Sequence, residues 1–356
     1  MNGHLVTMDG QQVDLQREEV ERLLSSSTPF WLDLVAEEAP SGGPEDGVSE
    51  LLRDAFHVHP LAVEDAEHFG QRPKLDTYDD FALLVVYGPV ASEHLVEVHC
   101  FLAEHYLVTV HRAPCPNFAD VVRHMQIGTV TTTLAMALYH VVDSLVDAYF
   151  PVLSAMDDRI DEIEDDILRA PTDDQLGQLF DMKRSLIALR KVVTPQRDVF
   201  ATLFGAQLLP GTTAETDRYF RDIYDHLIRV SDLVDSYRDL MSGALDTHLA
   251  TVSNRLNVVM KQLTIIATVF LPLSFLTGFF GQNFAWMVNR LSSFSVFAAV
   301  GIGLQIVTVV LLIVLFRRRG WLSSVGAVPP PNPAQRPHEP RHTRWLAVHP
   351  PAAPGA

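Results

Sequence analysis

The sequence predicts an α+β cytoplasmic domain, a set of long stalk helices and a hairpin of two transmembrane helices. Three observations support this fold class. Short β-like runs alternate with turn residues between about 28 and 125, apolar residues recur every three or four positions from about 129, and two long stretches near the C-terminal end carry no charge. We therefore divide the chain into residues 1–128, 129–261, 262–316 and 317–356.

Charged and apolar residues are concentrated in different parts of the chain. The 356 residues include 44 acidic and 27 basic ones, for a net charge of −17, yet the mean hydropathy is +0.12. An acidic balance argues against a protein that binds nucleic acid, which needs a basic surface. Cys100 and Cys115 are too few for a disulfide framework. Residues 1–24 have neither a basic start nor an apolar core, so we expect no signal peptide there.

Residues 1–128 are predicted to form the α+β domain. Four runs rich in β-branched and aromatic residues are typical of strands: 30–35, 81–87, 96–102 and 106–110. A short turn separates the last two runs, which favours a hairpin and hence an antiparallel pair. Pro60 opens a short predicted helix over residues 59–68, since proline suits the first helical turn.

Residues 129–261 are predicted to form long helices, over about 130–169, 173–205 and 215–281. Proline-containing turns separate them. The third pattern continues into the apolar region, and about 60 residues at 1.5 Å each make a helix of roughly 90–100 Å. A helix of that length cannot bury its apolar face in its own small domain, which favours an oligomer of copies lying side by side.

Two transmembrane helices are predicted within residues 262–316, at about 262–282 and 294–316. Each uncharged stretch exceeds the ~20 residues that cross a hydrocarbon core of ~30 Å. The connection is short, so both chain ends lie on the same side. Basic residues flank the pair on that side (Arg255, Lys261 and 317–319), whereas the loop carries Arg290 alone, which places both ends in the cytoplasm of a cell. The tail, 317–356, is basic and then Pro-rich, and it is predicted to be disordered.

One face of the first span carries a regular stripe of residues. Its members alternate in steps of three and four: Asn257, Met260, Leu263 or Thr264, Ala267, Leu271, Ser274, Gly278 and Gly281. The spacing alone favours a helix–helix contact, in which small residues allow close approach. The alternative is a pore wall, in which Met260, Leu263 and Leu271 are apolar constrictions that gate by losing water.

Several segments together resemble the CorA family of divalent-cation channels. The first span and its flanks resemble the family's pore segment over SNRLNVVMKQLTIIATVFLPLSFLTGFFGQNFAWM. Three segments resemble the family's cytoplasmic domain: HPLAVEDAEH and QRPKLDTYDDFAL within residues 59–83, and YFRDIYDH at 219–226. RRRGWL, which follows the second span, also resembles the family. The resemblance is collinear over about residues 50–322. It implies a funnel-shaped homopentamer in the cell membrane.

The resemblance implies a selectivity filter at the end of the first span. The family's mark there is Gly-Met-Asn, and this chain has Gly281-Gln282-Asn283. In a five-fold ring, glycine carbonyls and asparagine amides hold a hydrated cation, which suits Mg²⁺ because it gives up its waters reluctantly. The resemblance also implies that several residues of the stripe line the pore or form its gate: Asn257, Met260, Leu263, Leu271 and Ser274. The chain lacks the family's Met-Pro-Glu-Leu stretch in the loop, so the identity of the ion stays open.

The resemblance implies a second, regulatory metal site in the cytoplasmic domain. Glu64 and Asp65 match positions that face Asp222 of the adjacent subunit, where Mg²⁺ holds the family's channel closed. Unbridged carboxylates that lie close together repel by roughly a few kcal/mol at an effective dielectric constant near 20, and a divalent cation turns that repulsion into a link. Five such interfaces would act together.

The sequence therefore predicts a channel for hydrated divalent cations, with Mg²⁺ as the expected ion, Co²⁺ as a second one and no organic cofactor. The expected partners are further copies of the chain, the lipid bilayer and the cations. Two alternatives stay open: a transporter of zinc or another transition metal from the same superfamily, and a non-conducting, membrane-anchored metal sensor, which the acid-free loop favours. The absence of a phosphate loop, a nucleophile elbow or a metalloprotease motif argues against an enzyme.

Overall fold

The chain divides into two units, residues 1–251 and residues 252–356. The computed structural model describes residues 2–8, 11–13, 15–36, 47–90, 94–113, 115, 118, 121–123, 133–203, 208–282, 285, 289 and 293–322. The strands are β1 (Asn2–Thr7), β2 (Gln12–Val13), β3 (Phe30–Val35), β4 (Lys74–Thr77), β5 (Phe81–Val90), β6 (His94–Ala103) and β7 (Tyr106–His111). The helices are α1 (Arg17–Ser25), α2 (Gly47–Asp54), α3 (Pro60–Glu67), α4 (Leu134–Asp147), α5 (Tyr149–Arg169), α6 (Asp173–Thr202), α7 (Thr216–Phe280) and α8 (Phe294–Arg318).

The seven strands form one mixed sheet in the first unit. Their order is β2-β1-β3-β7-β6-β5-β4. Strands β3 and β7 are parallel, with Phe30 opposite Tyr106, and the other neighbours are antiparallel. The predicted hairpin is confirmed, since β6 and β7 pair with Leu102 opposite Leu107. All four predicted strands are present, and β5 and β6 are longer than predicted.

Helices cover both faces of the sheet. On one face, α1, α2 and α3 share a core with the strands that includes Val20, Leu51, Val63, Leu32 and Leu83. On the other face, the core includes residues of α4 and the strands, among them Leu138, Val142, Trp31 and Leu84. Burial on both faces explains why β5 is apolar along its whole length rather than alternating.

The peptide groups of Tyr87 fasten the long helices to β5. Its N–H donates to Gln196 Oε1 at 2.8 Å, and its carbonyl accepts from Gln196 Nε2 at 3.2 Å and from the Tyr149 hydroxyl at 3.1 Å. Gln196 and Tyr149 are fully buried, so these bonds satisfy polar groups that water does not reach. Beside them, a Cβ on Gly88 would lie 2.8 Å from the Leu145 side chain, so glycine is what lets α4 approach this closely.

The first predicted stalk helix is two helices in the structure. The pattern predicted one helix over 130–169, but α4 ends at Asp147 and α5 begins two residues later. Pro151 explains the break, because it has no N–H to donate to the Asp147 carbonyl and its ring crowds that carbonyl. The second prediction, 173–205, corresponds to α6, and the third, 215–281, corresponds to the unbroken helix α7.

Among the described residues, two helices are long and apolar enough to cross a membrane: α7, whose C-terminal part belongs to the second unit, and α8. Helix α8 begins with one α-helical turn, continues as a π-helix over Phe297–Gly303, and becomes α-helical again at Leu304. Near its end, the Trp321 ring stacks on Phe316 with centroids 5.7 Å apart. Arg290 and residues 323–356, which include the predicted disordered tail, lie outside the described residues.

Candidate functional site: ion pathway and carboxylate clusters

The predicted pore-lining residues belong to the apolar part of α7 and the turns just before it. Asn257, Met260, Leu263, Leu271 and Ser274 are all exposed in the single chain, and Leu271 is 71% exposed. An apolar helix surface of this kind needs a lipid or protein neighbour. Large apolar residues on the other faces of α7 are exposed to a similar extent. The side-chain exposure along α7 in a single chain therefore does not distinguish a pore wall from a helix–helix contact.

The predicted filter begins where α7 ends. The Gly281 N–H donates to the Thr277 carbonyl at 2.9 Å, and the Gln282 N–H donates to the Phe279 carbonyl at 3.3 Å. Through these bonds the backbone of the first two predicted filter residues stays hydrogen-bonded to the last turn of α7. Gln282 is exposed. Asn283 lies outside the described residues.

Threonines of α7 donate their hydroxyl protons to their own helix. Thr264 donates to the Met260 carbonyl at 2.8 Å, Thr268 to the Thr264 carbonyl at 2.7 Å and Thr277 to the Leu273 carbonyl at 2.7 Å. Such bonds to the preceding turn let a hydroxyl occupy an apolar helix without an unpaired proton.

Asp222 lies in a cluster of carboxylates and one imidazole that α4 and α7 form together. His226 Nε2 is 3.9 Å from Asp222 Oδ2, and His226 Nδ1 is 3.3 Å from Asp147 Oδ1. One ligand atom each of Asp143, Asp147 and His226 lie within 4.8 Å of one another, a spacing that a single metal ion can bridge. The Asp222 side chain is 55% exposed and so remains accessible to a neighbouring molecule.

Burial and like charge perturb this cluster. Burial, followed by the neighbouring Asp147 carboxylate, raises the pKa of Asp143 to about 6, although His226 acts in the opposite direction. A crowded carboxylate of this kind is stabilised when a cation binds beside it. Asp143 and Asp147 were not predicted as site residues, and the signal that could have found them is two carboxylates four residues apart in a mostly apolar helix.

Asp65 lies in a different cluster, formed by α3 and β4. Lys74 Nζ is 2.6 Å from Asp65 Oδ2 and 2.9 Å from Asp76 Oδ2. With Glu64 and Tyr78, these residues line a groove of about 660 Å³. The resemblance pairs Asp65 with Asp222 across a subunit interface, and within the single chain the two carboxylates have different neighbours.

The loop between α3 and β4 is anchored to the sheet. The Glu97 carboxylate of β6 accepts the N–H groups of Gly70 and, at 3.0 Å, Gln71, and it contacts His99 Nε2 at 2.7 Å. The Tyr87 hydroxyl donates to the Gln71 carbonyl. Burial acts to raise the pKa of Glu97, but the hydrogen bonds from His99 and Gly70 outweigh it and the pKa is lowered. An ionised Glu97 therefore fixes the loop that joins Asp65 to Lys74.

Comparison with known sequences gives one family. The family model described as "CorA-like Mg2+ transporter protein" matches residues 42–318. The Bacillus subtilis protein YfjQ is 35% identical over 298 residues, which cover 83% of this chain and 90% of that protein. The cobalt/magnesium transport protein CorA of Thermotoga maritima is 33% identical over 308 residues, which cover 83% and 84%. The zinc transport protein ZntB of Yersinia enterocolitica is 28% identical over 231 residues, which cover 63% and 69%.

Solved structures show the same fold. The CorA magnesium transporter from Methanocaldococcus jannaschii matches with a TM-score of 0.73 at 20% identity, covering 90% of this chain and 99% of its own. At that identity the likeness establishes the architecture: a soluble α/β domain, a long helix and two C-terminal apolar helices. The sequence matches extend over most of the same residues. The chain therefore belongs to the CorA-like Mg²⁺ transporter family.

Proposed function

We propose that this chain forms a homopentameric channel through which hydrated Mg²⁺ enters the cytoplasm, and that cytoplasmic Mg²⁺ closes it. The observation that carries the proposal is α7, one unbroken helix that bears Asp222 near its start and the predicted pore stripe near its end, and that leads directly into Gly281 and Gln282. The membrane potential supplies about 2.3 kcal/mol per charge per 100 mV, and hence about twice that for a divalent ion.

The proposed filter consists of Gly281, Gln282 and Asn283, with a ring of Gly281 carbonyls and Asn283 side-chain amides around the ion. An amide oxygen accepts a hydrogen bond from a water molecule of the hydrated ion without displacing it, which suits an ion that loses its waters reluctantly. The proposed gate consists of Met260, Leu263 and Leu271, whose apolar side chains exclude water from a narrow pore. In this arrangement Asn257 and Ser274 line the wider parts of the pathway.

The proposed regulatory site lies between subunits, with Glu64 and Asp65 on one side and Asp222 on the other. The donors are all carboxylate oxygens, which are the ligands that Mg²⁺ prefers. Asp143 and Asp147, which lie beside His226 in the same cluster as Asp222, add negative charge on that side of the interface. The proposed orientation puts this domain and both chain ends in the cytoplasm, because basic residues flank the two spans on the side of the termini.

Zinc is the second candidate ion. The likeness to ZntB proteins supports it, and so does Gln282, which replaces the methionine of the family's Gly-Met-Asn. The decisive experiment is uptake of Mg²⁺ and, separately, Zn²⁺ into liposomes that contain the purified protein, under an inside-negative potential. We expect Mg²⁺ uptake to exceed Zn²⁺ uptake. Uptake of Zn²⁺ alone would support the zinc transporter, and uptake of neither ion would support a non-conducting sensor.

A further inference from the structure

Lys74 lies between the carboxylates of Asp65 and Asp76. Its Nζ is within hydrogen-bond distance of Asp65 Oδ2, at 2.6 Å, and of Asp76 Oδ2, at 2.9 Å. The three side chains are partly buried, with 19% of Asp65 and 30% of Lys74 exposed. The Lys74 ammonium therefore pairs with two carboxylates at once.

This ion pair is built into a single chain. Asp65 is fixed on α3, and Lys74 is fixed on β4, where it lies opposite Val85 of the neighbouring strand. The loop that joins the two elements is held by Glu97 through the N–H groups of Gly70 and Gln71. Both members of the pair therefore come from one chain and are held by its own secondary structure.

We propose that Lys74 is a tethered competitor of the regulatory cation. Its ammonium neutralises Asp65 while no divalent cation is bound, and it must leave that carboxylate before the cation can bridge Asp65 to Asp222 of the neighbouring subunit. Lys74 thereby sets the Mg²⁺ concentration at which the channel closes. This inference rests on the proposed regulatory role of Asp65, and it adds the residue that tunes the affinity of that site.

The test measures Mg²⁺ protection of the full-length protein in detergent. Chymotrypsin cleavage is followed over a MgCl₂ titration, and the midpoint of protection is compared between variants, because chymotrypsin does not cut at lysine or arginine. We expect Lys74→Met to lower the midpoint by about fivefold or more, since it removes a positive charge in direct contact with the site. Lys74→Gln, which is neutral but still donates hydrogen bonds, should move the midpoint the same way, and Lys74→Arg should stay within about twofold of wild type because it keeps the charge.

Arg72→Met is the matched control, because it removes the same charge from an exposed residue in the loop just before β4. Its midpoint should stay within about twofold of wild type. The inference would be overturned if Arg72→Met and Lys74→Met changed the midpoint of protection equally. It would also be overturned if both Lys74→Met and Lys74→Gln failed to lower that midpoint. Asp65→Asn separates this from the proposed function. If Asp65→Asn loses protection while the Lys74 variants keep the wild-type midpoint, only the competitor is rejected, whereas wild-type protection in Asp65→Asn rejects the regulatory site itself.

Discussion

The side-chain amide of Gln305 in α8 donates a hydrogen bond to the Thr277 hydroxyl oxygen in α7, over a distance of 3.3 Å. Thr277 lies one turn before the proposed filter, and its carbonyl accepts the N–H of Gly281. The amide therefore ties the second apolar helix to the last turn of the first. Hydrogen bonds between helices in a membrane contribute about 0.6 kcal/mol on average and at most about 1.7 kcal/mol.

Gln305→Leu should therefore weaken the association of the two helices. A double-mutant cycle with Thr277→Val should give a coupling of roughly 0.5–1.5 kcal/mol in the free energy of unfolding in detergent. Thr308→Val is the control, because that hydroxyl donates to the Leu304 carbonyl of its own helix. Additive effects of Gln305→Leu and Thr277→Val would show that the hydrogen bond does not stabilise the pair.

Asn283→Ala should abolish cation uptake into liposomes while leaving expression and oligomeric state intact. The change removes one amide per subunit from the proposed filter, and the loss of a small polar side chain beyond the end of α7 leaves the helix packing in place. Oligomeric state is checked by size-exclusion chromatography with light scattering. Uptake at the wild-type rate would remove Asn283 from the selectivity filter.

Gln282→Met restores the family's Gly-Met-Asn. If Gln282 does not touch the ion path, the variant should keep the wild-type ion preference or shift it toward Mg²⁺. The ratio of Mg²⁺ to Zn²⁺ uptake measures this directly. Complete loss of transport would show that the extra amide is part of the site and that the family's ion chemistry does not carry over unaltered.

Asp65→Asn combined with Asp222→Asn should flatten the response of the channel to cytoplasmic Mg²⁺. The double variant removes two charges per interface, so Mg²⁺ links the two subunits less firmly. Without the ion, the repulsion between carboxylates across the interface is also weaker. We expect less opening than wild type at low Mg²⁺ and less complete closure at high Mg²⁺. Protection of the stalk from proteolysis should lose its Mg²⁺ dependence in parallel. An unchanged dependence in both measurements would make these carboxylates ordinary surface charges.

Asp143 makes stability depend on pH when no divalent cation is present. Its pKa is about 6 in the folded protein, against an ordinary value of 3.8, so between these values the folded chain binds more protons than the unfolded chain, and stability falls as the pH rises. In EDTA, Asp143→Asn should raise the melting temperature at pH 7.5 by about 2–4 °C, which corresponds to roughly 1 kcal/mol after allowance for solvent screening. At pH 4 the variant should match wild type. The same gain at both pH values would exclude this titration as its cause.

The sequence predicted those elements whose pattern is both strong and local. Strands β3, β5, β6 and β7 are dense in β-branched and aromatic residues, and each lies where its pattern indicates. Helix α7 has periodic apolar residues from Thr216 to the end of the soluble part, followed by an uncharged stretch, so one helix was predicted over its full length. The membrane pair was recognised by length and charge alone, which do not depend on tertiary contacts.

Other features depend on contacts that the sequence does not display. Strand β1 was not predicted because its neighbours Leu5 and Val6 enter two different cores, so it has no clear alternation. The π-helical part of α8 lies in a run that is apolar on every side, where no periodic pattern can reveal a change of helix type. Lys74 was not singled out because its partner Asp65 is on another element. The raised pKa of Asp143 comes first from burial, which depends on how α4 packs in the folded chain.

The threonine hydroxyls of α7 carry no formal charge, but their orientation bears on whether cations or anions are favoured beside the helix. The Thr264 and Thr268 hydroxyls donate their hydrogen bonds to carbonyl oxygens of the preceding turn, so the lone pairs of their oxygens remain free to accept. A chloride or phosphate ion requires donors and finds none in these groups. The shell of water around a positive ion points its hydrogens outward, and those hydrogens meet oxygen acceptors. In a pore of the proposed kind, hydroxyl groups oriented in this way would favour hydrated cations over anions before either reaches the proposed filter.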